Sequence, residues 1–171
     1  MHILFVCTGN ICRSPTAERL AAGMAPTADF RASSAGTRAV IGHPMHPDAA
    51  QALVDLGGDP VGFVARQLTP AIAADADLVI AMTRAHRDAV LELAPRQLHR
   101  TFILTEAAAL TSQFDPGEIS DLAALRPRLR ADDLDDITDP IGRAPQVYAG
   151  VGEQIAALVA PVVEFCQRVS G

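Results

Sequence analysis

The chain has 171 residues, 49% of them hydrophobic, with a formal net charge of -6, which suits one compact domain spanning 1–171. The acid excess argues against long-range attraction to nucleic acid or an anionic membrane. All 14 basic residues are arginine, so neither a Walker-type GK[ST] loop nor a lysine Schiff base is available. Three cysteines, Cys7, Cys12 and Cys166, make no disulfide framework and no zinc-type spacing. No uninterrupted apolar run approaches the ~18 residues of a membrane span, and a cytoplasmic protein in a reducing compartment is expected.

The chain opens on HILFVC (2–7), a run whose β-branched and aromatic content predicts a strand. Ser14-Pro15 reads as an N-cap with proline at the first helical position, leading into TAERLAAGM. FRASS (30–34) is a second strand, PDAAQALVDLG (47–57) a helix, DLVIAM (77–82) a third strand, RAHRDAVLEL (84–93) a helix and RTFIL (100–104) a fourth strand. From 105 to 138 the pattern loosens into a TSQFDPG turn, a short LAALRPRLR helix broken by Pro127, and the acids of ADDLDD, read as solvated. The last segment puts Val147, Val151, Ile155, Leu158, Val162 and Cys166 on one stripe. That spacing predicts a long amphipathic helix across the sheet, kinked or split at Pro161. Strands alternating with helices predict an α/β fold with a parallel sheet covered on both faces.

Residues 7–14, CTGNICRS, fall where the first strand feeds a helix, the place where ligands gather in parallel α/β sheets. Gly9 and Asn10 tolerate left-handed backbone, so Thr8, Gly9, Asn10, Ile11 and Cys12 can curl with their N–H groups inward, an anion nest at a helix N-terminus that suits phosphate. Arg13 adds a permanently charged planar fork for two phosphate oxygens. Positive surroundings favour a thiolate, which makes Cys7 a nucleophile aimed at bound phosphorus. Phosphate ester cleavage also needs a proton for the leaving oxygen. Two Asp-Pro pairs, Asp115-Pro116 and Asp139-Pro140, present a carboxylate from extended backbone.

The stretch VCTGNICRSPTAERL closely resembles the N-terminal signature of the low-molecular-weight protein tyrosine phosphatases, and SSAGT (33–37), ARQLT (65–69), LVIAM (78–82) and Asp139-Pro140 recur in that family's order. The resemblance implies a four-stranded parallel sheet flanked by helices on both faces, a Rossmann-like arrangement. It implies Cys7 as nucleophile, Arg13 as clamp and transition-state stabiliser, and Asp139, just ahead of the last helix, as general acid, while Asp115 begins a turn. Asn10, Ser14 and Ser34 match positions whose hydrogen bonds hold the loop. The implied substrates are phosphotyrosine proteins and small aryl phosphates, inorganic phosphate is the product, and no metal or other cofactor is required. Family members with a second loop cysteine are reversibly inactivated by peroxide, a role that falls to Cys12.

The sequence departs from the family at several points. Ile141-Gly142 follows the late Asp-Pro and RAVIGHP follows Ser-Ala-Gly, so the two aromatic walls around a substrate ring are missing. Tyr148 is the only tyrosine, and Phe63 stands where a histidine is common. Ile11 resembles the tyrosine-directed branch, whereas relatives similar to phosphoarginine phosphatases carry threonine there. His43 and His46 are close in sequence, but no third metal ligand is evident. An arsenate reductase on the same fold would need a further cysteine pair within VIAMTRAHRDAVLELAP, which has no cysteine. A non-catalytic phosphate-binding module would need neither nucleophile nor acid.

Overall fold

Four strands, β1 (His2–Cys7), β2 (Arg31–Gly36), β3 (Leu78–Ala81) and β4 (Thr101–Ile103), pair in parallel in the order β2-β1-β3-β4. The structure, a computed structural model, describes residues 1–130 and 134–170. β1 lies inside the sheet and all six of its residues are buried. Its period of two divides it between two cores: Ile3, Phe5 and Cys7 join one, Leu4 and Val6 the other.

The first core is closed by α1 (Arg13–Met24), α2 (Pro47–Asp55), α5 (Leu104–Gln113) and α7 (Pro145–Ser170). The second is closed by α3 (Pro70–Ala74) and α4 (Arg84–Leu93). The predicted sheet covered on both faces is therefore observed. Each large side chain fully buried there, Phe5 and Phe102 among them, contributes roughly 1.5–3 kcal/mol relative to exposure.

The helix after β1 starts at Arg13, with Cys12 as a cap that makes no side-chain bond, not at the expected Ser14 cap. The Ser14 hydroxyl is engaged with Cys7 and Asn10 instead. Pro15 is then the third helical residue, where an N–H would have no intrahelical acceptor in any case. β2 runs two residues beyond the predicted 30–34, to Gly36, because the parallel register with β1 continues through Cys7↔Gly36.

The loosened stretch contains two elements, α5 and α6 (Ile119–Leu125), followed by a 3-10 turn at Arg126–Arg128. α5 was not expected. It starts directly from β4 without a polar cap, and Glu106 in its first turn accepts the Ile103 N–H at 3.2 Å. α3, capped by Thr69 with Pro70 at its first turn, was also not expected.

α7 carries Pro161 inside one continuous helix rather than splitting there. Ala157, whose carbonyl loses its partner, is exposed to solvent. Of the predicted stripe, Val151, Ile155, Val162 and Cys166 are buried, while Val147 and Leu158 are half-buried. α7 is long and apolar enough to cross a bilayer by length and composition. In this fold its apolar side packs on α1, α2 and α5.

Candidate active site

The loop between β1 and α1 is held by its carbonyl groups. Those of Cys7, Thr8, Gly9 and Ile11 accept from the N–H groups of Thr37 (2.9 Å), Arg38 (3.0 Å), Val40 (2.9 Å) and His46 (2.8 Å). A trans peptide sets N–H opposite C=O, and the described chain has no cis bond. The N–H groups of Thr8, Gly9, Asn10 and Cys12 therefore face away from these staples. Asn10 takes the left-handed conformation the curl needs, with φ 55°. Gly36 lets the end of β2 come this close, since a Cβ there would stand 2.4 Å from Thr8 O.

Behind the curl lies a polar chain. Cys7 Sγ is 2.9 Å from Ser14 Oγ. Asn10 Nδ2 donates to Ser14 Oγ (3.0 Å) and Ser34 Oγ (2.8 Å), while its Oδ1 accepts the Arg66 N–H at 2.9 Å. Ser34 gives its own proton to Glu18 Oε2 at 2.5 Å. Burial raises the Glu18 pKa, and the Ser34 hydrogen bond offsets part of that. Phe63, at the position where a histidine was noted as common, is buried and lies 5.7 Å from the Arg19 guanidinium. Glu18 thus supplies the polar end of the chain.

Arg13 is 5% exposed. It donates to Ile137 O at 3.0 Å and forms an ion pair with Asp139 Oδ2 at 2.9 Å. The acid segment is suspended from the end of β3: Ile137 N–H donates to Met82 O (2.9 Å), and Arg84 N–H donates to Asp136 Oδ1 (2.8 Å). Asp136 is therefore a helix-start anchor and not merely a solvated acid, and Asp135 O accepts from Thr105. Asp132 and Asp133 lie outside the described residues. Asp115 pairs with Arg168 at 3.2 Å. Arg168 is 23 residues along α7 from Pro145, about 35 Å at 1.5 Å per residue. Of the two Asp-Pro acids, Asp139 is the one paired with Arg13 of the loop.

Cys12 is buried beneath the curl, and burial followed by the neighbouring Cys7 pushes its pKa up to about 12. His86 was not singled out in the sequence. Its Nε2 is 2.8 Å from Thr8 Oγ1 and its Nδ1 2.9 Å from Thr83 Oγ1. Burial, then the charge of Arg13, lowers its pKa to about 4. His46 caps α2 and stacks on Tyr148 with centroids 4.9 Å apart, which leaves Tyr148 buried. His43 is exposed. Around the mouth the exposed apolar residues are aliphatic: Val40, Ile41 and Ile141.

The family model for low molecular weight phosphotyrosine protein phosphatase matches residues 2–162. The low molecular weight protein-tyrosine-phosphatase Etp of Escherichia coli (strain K12) is 38% identical over 101 residues, 59% of this chain and 67% of that protein. The structure of the YwlE arginine phosphatase from Geobacillus stearothermophilus is similar with TM-score 0.78 and 28% identity, over 97% of this chain and 92% of that one. That of the low molecular weight protein tyrosine phosphatase from T. tengcongensis is similar with TM-score 0.77 and 29% identity, over 96% and 98%.

Proposed function

Because the chain belongs to the low molecular weight phosphotyrosine protein phosphatase family, we propose that residues 1–171 act as one catalytic domain that hydrolyses phosphotyrosine and small aryl phosphates in the cytoplasm, with Cys7 as nucleophile, Arg13 as clamp and Asp139 as acid. The observation that carries this is Arg13, which reaches from the phosphate loop to Asp139 at 2.9 Å and so joins the site of attack to the source of the proton.

In the first step Cys7 Sγ forms a bond to phosphorus, the phosphorus–oxygen ester bond breaks, and Asp139 gives its proton to the leaving oxygen. Ser14 Oγ already accepts from Asn10, which leaves the Ser14 proton for Cys7 Sγ. The loop N–H groups and Arg13 take the charge on the non-bridging oxygens. A phosphate dianion competes with the Asp139 carboxylate for the Arg13 fork, which frees Asp139 to turn toward the leaving oxygen. In the second step water attacks phosphorus, Asp139 accepts its proton, and the S–P bond breaks to release inorganic phosphate and Cys7.

Val40, Ile41 and Ile141 offer a substrate ring apolar contact without stacking. The loss of about 0.5–1.5 kcal/mol per aromatic pair corresponds to a Michaelis constant about 2- to 10-fold higher per missing wall. The likeness to an arginine phosphatase makes phosphoarginine the competing substrate, and Ile11 supports the aryl ester. The test is a panel of phosphotyrosine, phosphoserine and phosphoarginine peptides, arsenate and p-nitrophenyl phosphate, with and without EDTA, against wild type and Cys7→Ser. Activity on phosphotyrosine that persists in EDTA and disappears in Cys7→Ser is expected. Full activity in Cys7→Ser, or preference for phosphoserine or phosphoarginine, refutes it.

A further inference from the structure

Three parts of the site meet at the start of α4. Thr83, its cap, accepts the His86 N–H at 3.2 Å, and its hydroxyl is 2.9 Å from His86 Nδ1. The other ring nitrogen is 2.8 Å from Thr8 Oγ1 in the phosphate loop. The residues on either side of the cap carry the acid segment, Met82 through Ile137 and Arg84 through Asp136. Ile137 in turn accepts from Arg13, and Asp139 follows two residues later. The imidazole therefore ties the phosphate loop to the helix start from which the acid is suspended.

We propose that His86 is a positioning residue: by bridging Thr8 and Thr83 it fixes the separation between the phosphate loop and residues 136–139, and so the distance over which Asp139 delivers its proton. Both ring nitrogens are engaged and the residue is 7% exposed, so no proton or lone pair of the ring is left for substrate. Proton delivery requires a heavy-atom approach of about 2.6–3.2 Å, and a displacement of about 1 Å costs on the order of 10²-fold. A buried bridge holding two segments in register is well placed to control that distance. The inference rests on the reading of Asp139 as the acid.

The test measures kcat/KM over a series of aryl phosphates whose leaving groups run from acidic to basic, for His86→Ala, His86→Gln and Asp139→Asn, with the inhibition constant of inorganic phosphate. His86→Ala is expected to lose roughly tenfold or more on basic leaving groups but less than about threefold on acidic ones, with phosphate inhibition within about twofold of wild type. His86→Gln, whose amide offers a donor and an acceptor, should recover most of the loss. Should His86→Ala fail to fold, Thr8→Val cuts the same bridge from the loop side and should show the same leaving-group selectivity. If Asp139→Asn shows the dependence and the bridge variants do not, the positioning role is wrong while the acid stands. If Asp139→Asn itself shows none, the acid assignment fails and takes the inference with it. An equal loss on all leaving groups with weakened phosphate inhibition would make His86 a prop for the phosphate loop alone and overturn the proposal.

Discussion

His86 makes the stability of the fold depend on pH in a way that can be calculated. In the folded protein its pKa is lowered from 6.5 to about 4 by burial and by Arg13, whereas the unfolded chain protonates it near 6.5. Between those values the unfolded state binds more protons than the folded one, so stability falls as pH falls. The gap, at 1.36 kcal/mol per pH unit, amounts to about 3 kcal/mol by pH 4, and about 2 kcal/mol of it is lost between pH 7 and pH 5. The side chain is 7% exposed, so solvent screening removes little of this. Denaturant unfolding of wild type and His86→Gln at pH 7, 6 and 5 measures it, since glutamine does not titrate and the contributions of other groups, His2 included, are common to both. Wild type should lose about 2 kcal/mol more than the variant over that range. Parallel stability curves would mean that His86 charges freely in the folded state and that the buried bridge to Thr8 is not maintained.

Arg13→Lys should lower kcat/KM by about 10²-fold or more, because an ammonium group cannot span two phosphate oxygens nor hold both Ile137 O and Asp139; retention of a tenth of wild-type rate would count against the clamp. Gly36→Ala forces a Cβ against Thr8 O and the Ala39 backbone, with an expected cost of about 1–3 kcal/mol in denaturant unfolding and a further fall in kcat/KM as the loop shifts. An unchanged kcat/KM would show that the loop tolerates the push. Peroxide should oxidise Cys7 to the sulfenic acid, which condenses with the Cys12 thiol to a disulfide and water. Phosphate should protect, and dithiothreitol should restore more activity in wild type than in Cys12→Ser. Because the Cys12 pKa is raised to about 12, few thiolates are available for capture, so recovery should diminish with longer peroxide exposure as Cys7 oxidises further. Equal recovery in both proteins would leave Cys12 with a packing role.

Much of the fold was legible because its signals are local and repeated. β1 and β3 read as apolar β-branched runs, and α4 and α7 as helical stripes, since burial on one side imposes a period that propensity reinforces. Two short strands misled at their ends. β2 continues past the predicted Ser34 through Ala35 and Gly36, residues with weak strand preference, because pairing with β1 overrides propensity at those positions. α5 was missed for the opposite reason. Its LTEAAALTSQ sequence favours a helix, but it follows β4 with no connecting loop, so no start signal separates strand from helix.

The phosphate loop was legible for a different reason: residues 7–14 are consecutive, so spacing alone places a thiol, an arginine and the residues that permit the curl around one point. Its supports are not consecutive. Asn10 meets Ser34 and Arg66 across 24 and 56 positions, and Thr8 meets His86 across 78. These contacts exist because parallel pairing brings the carboxyl ends of β1, β2 and β3 to one edge of the sheet, which no local pattern records. The same rule governs the two Asp-Pro pairs, which are alike in local chemistry and are separated by topology, Asp139 held at that edge through Met82 and Asp115 tied to the far end of α7. The support behind the loop follows it too: the Ser34 proton is taken by Glu18, 16 positions away on a different element, a contact that no local pattern records.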